Sequence, residues 1–257
     1  MLVELERPED GIAVLRLNNP PLNLVTLEMT RQLDDTLGAL ADDRRVRAVV
    51  VAGAGERAFC VGSDVREFPM VRDRVVATKL HRENEVWNRL EDLPQPTVAA
   101  IQGWALGGGL ELALCCDLRV MEEDAWIGLP EIRLGVFPGS GGPIRLVRLV
   151  GQSRAKPVVY FGDPIAAQDA AHLGLIHRVV PRGQAMAGAM DLARRLAGQP
   201  ALAIQASKRL MGVAAEADRD TAVGFALEQS HRIFQTDDML EGVTAFLEKR
   251  TPRFRHA

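Results

Sequence analysis

The spacing of hydrophobic residues changes along the chain, and each change marks a different kind of secondary structure. Hydrophobic and polar residues alternate over residues 3–6 and 12–17, which predicts a half-buried β-hairpin around the turn-like residues 8–11. Hydrophobic residues then recur at helical spacing, which predicts an amphipathic helix whose core-facing stripe is Met29, Leu33, Leu37 and Leu40.

Short strand and helix patterns alternate through the middle of the chain. The β-branched run at residues 46–52 and the apolar run at residues 98–101 predict buried strands. A charged, helix-compatible stretch, residues 72–93, lies between them and is followed by two prolines, which cannot continue a helix. Another helix is predicted to begin at residues 141–143, because the proline there suits a first helical turn.

The last quarter of the chain has only helical patterns. The last predicted strand ends at residues 179–180, and helix candidates follow at residues 202–217, 221–234 and 237–249. Strand and helix alternation followed by helices alone predicts an α/β core with a helical C-terminal region. The composition shifts near residue 195, so the predicted domains are residues 1–195 and 196–257.

The composition narrows the possible partners and the compartment. The chain of 257 residues has 31 basic and 34 acidic residues and no basic cluster, which argues against a nucleic-acid partner. Its three cysteines include an adjacent apolar pair and lack metal-ligand spacing, so they are predicted to be buried thiols in a reducing compartment. No apolar run is long enough to cross a membrane, and the first residues resemble a hairpin more than a leader. We therefore expect a cytoplasmic protein without a bound metal.

Three consecutive glycines, Gly107-Gly108-Gly109, lie between the predicted strand at residues 98–101 and an apolar helical segment, residues 110–116. Backbone N–H groups at the start of a helix can stabilise negative charge, either a phosphate or an oxyanion. The glycines match neither common nucleotide-binding motif, so nucleotide binding is disfavoured. Close packing of the backbone is an alternative reason for them.

Two glutamates accompany these glycines. Glu111 lies in the first turn of the predicted helix among apolar neighbours, and Glu131 follows Pro130 after another strand-like run. Interaction with the helix dipole alone would explain Glu111. A buried carboxylate without a cation instead has a raised pKa, which suits a general acid or base. Two such groups sharing one site would form a coupled pair able to add or remove water.

Several ordered motifs resemble the crotonase, or enoyl-CoA hydratase, superfamily over nearly the whole chain. They are residues 105–113 (ALGGGLELA), 130–135 (PEIRLG), 138–142 (PGSGG), 62–64 (GSD), 166–170 (AAQDA), 173–175 (LGL), 236–242 (TDDMLEG) and 245–250 (AFLEKR). The resemblance implies a crotonase-type spiral of ββα units with a C-terminal helical trimerisation region. It also implies a homotrimer or a homohexamer built from two trimers.

The same resemblance implies a set of site residues. The backbone N–H groups of Ser63 and Gly108 would form an oxyanion hole for an acyl-CoA thioester carbonyl. Glu111 and Glu131 would be catalytic and would hold a water between them, with the Gly139 N–H helping to position it. Coenzyme A would be part of the substrate, and neither a metal nor a redox cofactor would be required.

Five further residues match positions that contact coenzyme A in the superfamily. Arg57 and Arg66 would lie near the phosphates and the Val61 backbone near the adenine, although both arginines could equally be solvated surface charges. Phe246 and Lys249 would reach the coenzyme from a neighbouring subunit, although Phe246 also suits a helix core.

Glutamate at both hydratase positions predicts an enoyl-CoA hydratase, a hydro-lyase that converts a trans-2-enoyl-CoA to a 3-hydroxyacyl-CoA. The alternatives are another superfamily reaction, such as carnitinyl-CoA dehydration or double-bond isomerisation, and a catalytically silent acyl-CoA-binding scaffold. Pro143-Ile144 departs from the Thr-Gln that the superfamily often has there, and position 230 is Ser. The acyl chain length and branching stay open.

Overall fold

The computed structural model describes residues 1–255. The first element is the expected antiparallel hairpin, formed by β1 (Val3–Glu9) and β2 (Ile12–Leu17). Helix α1 (Leu27–Asp42) follows, and the Thr26 side chain accepts a hydrogen bond from the Met29 N–H at its start. All four residues of the predicted α1 stripe are fully buried, which confirms the periodicity-based prediction.

The middle of the chain is a spiral of strand–strand–helix turns. Its elements are β3 (Ala48–Gly53), β4 (Ala58–Cys60), α2 (Phe68–Val71), α3 (His81–Glu91), β5 (Thr97–Ile101), β6 (Trp104–Leu106), α4 (Gly108–Leu114), β7 (Leu118–Glu122), β8 (Trp126–Gly128) and α5 (Gly142–Phe161). The first strand of each turn joins one sheet and the second strand joins another. Both sets pair in parallel, β3-β5-β7 and β4-β6-β8. This architecture agrees with the predicted crotonase-type spiral of ββα units.

The remaining elements complete the two sheets and add the C-terminal helices. They are β9 (Ile165–Ala166), α6 (Ala167–His172), β10 (Arg178–Val180), α7 (Ala185–Ala197), α8 (Ala201–Glu216), α9 (Arg219–Ile233) and α10 (Asp237–Glu248). The larger sheet has the order β1-β2-β3-β5-β7-β10 and the smaller one β4-β6-β8-β9. Because its central strands are buried on both faces, they are nearly all apolar, as parallel strands usually are.

Helix α7 covers one face of the larger sheet, and the helices of the spiral cover the other. Ala189 and Ala193 of α7 pack with Val50 and Val98, while the neighbouring Val49 belongs to the core on the opposite face. The predicted boundary after residue 195 falls inside α7, two residues before its end. The division into residues 1–195 and 196–257 stays a prediction.

The charged stretch at residues 72–93 is helical in a less regular way than its pattern predicts. A 3₁₀ turn (Arg72–Arg74) and a π-helix (Val76–Leu80) precede α3, which itself begins only at His81. β-Branched residues such as Val75 and Val76 weaken a regular helix here. π-Helical turns are frequent at functional sites, and this one borders the cavity described below.

No helix among residues 1–255 is long and apolar enough to span a membrane. All three cysteines are buried free thiols, as expected, and burial raises the pKa of Cys60 and of Cys116 to about 12. Within the same residues, no cluster of His, Cys, Asp and Glu side chains has the grouping of a metal site.

Arg119 on β7 is buried, which its charge does not predict. Its guanidinium donates to the carbonyls of Leu175, Ala113 and Cys116. Ala113 lies in the last turn of α4 and Cys116 follows its C-terminal end, so Arg119 fixes the end of the helix that carries Glu111. Burial lowers the pKa of Arg119.

We predict that Arg119→Met lowers the free energy of unfolding by about 3 kcal/mol or more, because three buried carbonyls lose their donor at about 1–3 kcal/mol each. Urea unfolding followed by tryptophan fluorescence, at one protein concentration, measures the loss. Arg31→Met is the control, since Arg31 makes only exposed ion pairs on α1 and should change stability by less than about 1 kcal/mol. Equal effects of the two substitutions would contradict this role of Arg119.

Candidate active site

Three neighbouring parallel strands of the smaller sheet deliver the candidate site residues. Ser63 follows β4, the glycine turn and Glu111 follow β6, and Glu131 follows β8. Because parallel strands end at the same edge of a sheet, residues far apart in the sequence meet there. The Gly107 N–H donates to the Gly128 carbonyl at 2.9 Å and joins two of these strand ends.

The glycine turn allows an approach that side chains would block. Gly107 has φ 53° and ψ −129°, and a Cβ added there would lie 3.0 Å from Glu131 Oε1. A Cβ on Gly109 would overlap the Cys60 carbonyl. Glycine is therefore required on both sides of Gly108, the first residue of α4.

The backbone N–H groups of Ser63 and Gly108 converge across this turn. The neighbours of Ser63 pair with Val25, through Val25 N–H to the Gly62 carbonyl and Asp64 N–H to the Val25 carbonyl, both at 2.9 Å. In a parallel bridge the intervening N–H points the opposite way, and a Cβ built on Gly108 would lie 3.8 Å from the Ser63 nitrogen. Within residues 1–255, neither N–H donates to a protein acceptor. Two convergent donors of this kind stabilise an oxyanion.

Glu111 is buried on α4, with 2% of its surface exposed. Its Oε1 accepts hydrogen bonds from the N–H groups of Ser140 (3.0 Å) and Gly142 (2.8 Å), whereas Oε2 lies 3.8 Å from a Cβ built on Gly108. One oxygen is thus held by the backbone, and the other lies on the side of Gly108. Burial raises the pKa of Glu111 to about 7 against the lowering effect of the Gly142 N–H, and the charge of Glu131 adds to the increase.

Glu131 lies in a 3₁₀ turn (Pro130–Leu134) opposite Glu111. Its Oε2 is buried and has no protein hydrogen-bond partner within the described chain. Burial raises the pKa of Glu131 to about 7 as well. The two carboxyl groups therefore titrate near neutral pH and as a coupled pair, which suits exchange of protons with a bound substrate.

A cavity of about 500 Å³ joins these groups, a volume suitable for a small organic ligand. Both glutamates, Ser63, Gly108, Gly139 and Val61 line it. The rest of the wall is largely apolar. It includes Val65, Phe68, Val71, Val75, Leu80, Leu134, Val136 and Phe137, with Ser140 as a polar member and Arg72, Lys79 and Glu83 as charged members. The structure thus brings together six of the predicted site residues.

The other four predicted residues do not line this cavity. Arg57 is exposed on the loop before β4, and Arg66 pairs with Asp64 at 2.6 Å while its side chain is 80% exposed. Phe246 is 82% exposed on α10, and Lys249 ends that helix in the left-handed conformation. Their predicted contacts with coenzyme A, two of them from a neighbouring subunit, stay predictions.

Three cavity residues were missed by sequence reasoning: Lys79, Glu83 and Ser140. Lys79 Nζ lies 2.7 Å from Glu83 Oε1, and Glu83 Oε2 accepts from Ser140 Oγ at 2.7 Å. Lys79 and Glu83 are one helical turn apart, and this spacing is the sequence feature that indicates an ion pair. It was treated as part of a charged helix because such pairs are usually solvated.

Comparison with known proteins identifies the class and then the family. A fold neighbour is the crystal structure of an enoyl-CoA hydratase from Bacillus anthracis, with a TM-score of 0.95 and 34% identity over 100% of both chains. The spiral and its site thus define a crotonase-fold protein. The family model described as enoyl-CoA hydratase/isomerase matches residues 7–257. The chain belongs to this family.

Curated relatives agree with the sequence-based interpretation. A short-chain-enoyl-CoA hydratase of Clostridium acetobutylicum is 36% identical over 94% of this chain and 93% of the relative. A 2,3-dehydroadipyl-CoA hydratase of Escherichia coli K12 is 38% identical over 96% of both chains. The predicted superfamily and the predicted hydratase class of enzyme are thereby confirmed.

The raised pKa of Glu111 predicts a dependence of stability on pH. The pKa is about 7 in the folded chain against an ordinary 4.5, so the folded state binds more protons between these values. The Glu111 contribution to the free energy of unfolding therefore falls as pH rises from about 4.5 to about 7. Glu111→Gln has no titrating group at this position and should not lose this stability. The free energy of unfolding of the variant minus that of wild type should therefore increase by about 3 kcal/mol from pH 4.5 to pH 8.

Urea unfolding of both proteins at several pH values measures this difference. Glu28→Gln is the control, because hydrogen bonds from Arg31 lower the pKa of the exposed Glu28 to about 2 and place its titration outside this range. A constant stability difference between Glu111→Gln and wild type would contradict the raised pKa of Glu111.

Proposed function

We propose that this protein hydrates trans-2-enoyl-CoA thioesters and, in reverse, dehydrates 3-hydroxyacyl-CoA. The observation that carries the proposal is the pair of glutamates with raised pKa values facing two convergent backbone N–H donors in one cavity. Relatives named as hydratases over nearly the whole chain support the same reaction. Coenzyme A belongs to the substrate in this proposal, and no step requires a metal or a redox cofactor.

In the proposed mechanism, the thioester oxygen binds the N–H groups of Ser63 and Gly108. Charge that develops on this oxygen during the reaction then meets fixed donors in a site that excludes much of the water. The positive end of the α4 dipole begins at Gly108 and adds to the stabilisation. Polarisation of the carbonyl makes C3 of the enoyl group open to attack.

Glu111 and Glu131 hold the attacking water between them. The water oxygen bonds to C3, one of its protons passes to a carboxylate, and C2 receives a proton from Glu131, so water adds across the double bond. Oε2 of Glu111 is the oxygen available for this work, since Oε1 is held by Ser140 and Gly142. Gly139 lines the cavity beside Ser140, and its N–H is proposed to orient the water.

Glu111→Gln and Glu131→Gln should each lower kcat by about 10²–10⁴-fold with a much smaller change in KM, because each carboxyl acts in the transition state. Loss of the conjugated enoyl-thioester absorbance of crotonyl-CoA measures turnover. Glu123→Gln, an exposed carboxylate after β7, is the matched control and should keep wild-type activity.

Two outcomes would oppose this mechanism. Wild-type protein that binds the thioesters but leaves their absorbance unchanged across several acyl groups would exclude a hydratase and favour the binding-scaffold alternative. Glutamine variants that lose affinity as much as turnover would assign the glutamates a structural role.

The proposal includes a homotrimer or homohexamer in which the C-terminal helices contact neighbouring subunits. These helices expose large apolar side chains, which single chains rarely leave in contact with water: Met211, Leu227, Phe234, Leu240, Val243, Phe246 and Leu247. In this proposal, coenzyme A contacts Arg57, Val61 and Arg66 of the subunit that binds it. Phe246 and Lys249 of a neighbouring subunit contact the same coenzyme. A cytoplasmic location stays a prediction.

Sedimentation equilibrium of the wild type should give three or six times the 28.1 kDa chain mass. Phe246→Ala and Lys249→Met should raise KM for crotonyl-CoA by about 3–10-fold with little change in kcat, since contacts remote from the reacting atoms contribute mainly to binding. A monomer with full activity would exclude the contribution from a neighbouring subunit.

A further inference from the structure

A buried ion pair in the cavity wall is connected to Glu111 by the hydrogen bonds of one serine, Ser140. Lys79 and Glu83 have only 2% and 3% of their side chains exposed, and Lys79 Nζ lies 2.7 Å from Glu83 Oε1. The contact is not well directed as a hydrogen bond, so it acts mainly as a charge pair. The other oxygen, Glu83 Oε2, accepts a 2.7 Å hydrogen bond from Ser140 Oγ, and the Ser140 N–H donates to Glu111.

Helix α3 holds the loop around Ser140 at two further points. Asn84, next to Glu83, donates to the Gly139 carbonyl at 2.9 Å. Arg145 donates to the Ser140 carbonyl at 3.3 Å and to Asn88 Oδ1 on α3 at 2.6 Å. The loop that supplies both hydrogen bonds to Glu111 Oε1 is therefore fixed to α3 through residues on either side of Ser140.

Stability alone does not explain the Lys79–Glu83 pair. Removing two charges from water is costly, and apolar side chains of similar volume often stabilise a fold at least as well as a buried ion pair. Glu83 Oε1 faces the Lys79 charge and Oε2 accepts from Ser140, so both oxygens are directed at neighbouring protein groups. Its geometry fits a residue that acts through Ser140.

We propose that Glu83, paired with Lys79, is a positioning residue that holds Ser140 so that the backbone stays bonded to Oε1 of Glu111 and Oε2 stays directed to the substrate. This inference rests on the proposed role of Glu111 in hydration. Without the serine anchor, the carboxylate can rotate and direct either oxygen to the water. Misplacement of a reacting group by about 1 Å can cost about 10²-fold in rate.

The charge of Glu83 adds a second, measurable link. It is one of the effects that raise the pKa of Glu111, after burial and the charge of Glu131. Other charged groups near this cluster are Glu67, 3.8 Å from Lys79, Arg145 beside Ser140, Asp64, whose pKa the charge of Lys79 helps to lower, and Arg72 in the cavity wall. Removing the negative charge of Glu83 leaves Lys79 less compensated, and both changes favour the ionised form of Glu111.

Two single variants test the proposal. Ser140→Ala removes the hydroxyl but keeps the N–H. Glu83→Gln removes the charge and weakens the hydrogen bond from Ser140 Oγ, because a bond to an ionised acceptor is about twice as strong as one to a neutral acceptor. Both should lower kcat with crotonyl-CoA by about 10-fold or more while KM changes by less than about threefold. In Glu83→Gln, the acid limb of the pH profile should also move to lower pH by about half a unit or more. Glu85→Gln, whose exposed side chain pairs with His81 on the same helix, is the control with wild-type values.

The double variant Lys79→Met/Glu83→Gln separates positioning from folding, because it leaves no unpaired buried cation. It should fold and keep a low kcat, since the carboxylate that anchors Ser140 is absent. Wild-type kcat and pH profile in this double variant would overturn the proposal and leave the pair a purely structural role. Single variants that lose folded protein but keep wild-type kcat and pH profile per folded molecule would overturn it too.

A readout that does not use turnover distinguishes failure of this inference from failure of the proposed function. The pKa of Glu111 follows from the pH dependence of unfolding when each protein is compared with its Glu111→Gln derivative. Glu83→Gln should lower that pKa even if wild-type protein hydrates no enoyl-CoA tested. An unchanged pKa of Glu111 in Glu83→Gln would refute the electrostatic link whether or not the protein is a hydratase.

Discussion

The close approach of two backbone segments is the constraint on which the rest of the site depends. Gly62 has φ 87°, and a Cβ there would lie 2.9 Å from the Gly108 nitrogen, so any side chain would press on one of the two proposed oxyanion donors. The approach is possible because β4 and β6 are parallel neighbours whose carboxyl ends reach the same edge. The spiral therefore does more than support the site, since its strand pairing sets the separation of Ser63 from Gly108.

Burial of the glutamates follows from the same geometry. Helix α4 begins directly at the glycine turn, so Glu111 in its first turn is carried into the core between apolar neighbours. Backbone N–H groups at Oε1 stabilise the ionised form of Glu111, whereas burial and the charge of Glu131 destabilise it. The balance leaves a pKa near neutrality. A carboxyl that was fully exposed or ion-paired would lack this property.

Sequence patterns predicted those parts of the fold that local periodicity determines. The α1 stripe, the hairpin and the core strands were predicted because each has a single repeat of hydrophobic residues along the sequence. In the helix and the hairpin this repeat marks one buried face, and in the core strands both faces are buried. The glycines and both glutamates were recognised because their neighbours are apolar and their order matches a known superfamily. The convergence of Ser63 with Gly108 was implied by that resemblance alone, since nothing local records that β4 and β6 are adjacent.

The residues that pattern analysis missed are charged groups whose burial is decided by tertiary packing. Arg119 lies inside the core because its guanidinium meets the nearby carbonyls of Ala113 and Cys116 and the carbonyl of Leu175, which is 56 residues further along the chain. Glu83 is one helical turn from Lys79, a spacing usually found at solvated surfaces. The pair is buried where the loop at Ser140 packs against α3, and this contact between distant segments is not visible in the local sequence.

Charge balance inside the cavity connects this pair to the substrate. The pKa values of Glu111 and Glu131 are both raised to about 7, and the charge of Glu131 adds to the increase at Glu111, whereas Lys79 faces Glu83 directly. Most of the remaining wall is hydrocarbon. Because an uncompensated charge in such surroundings is costly, the pairing of Lys79 with Glu83 leaves Glu111, Glu131 and Arg72 as the other charged side chains that line the cavity. The candidate acid–base groups therefore follow the ends of β6 and β8, and mostly apolar side chains form the wall beside them.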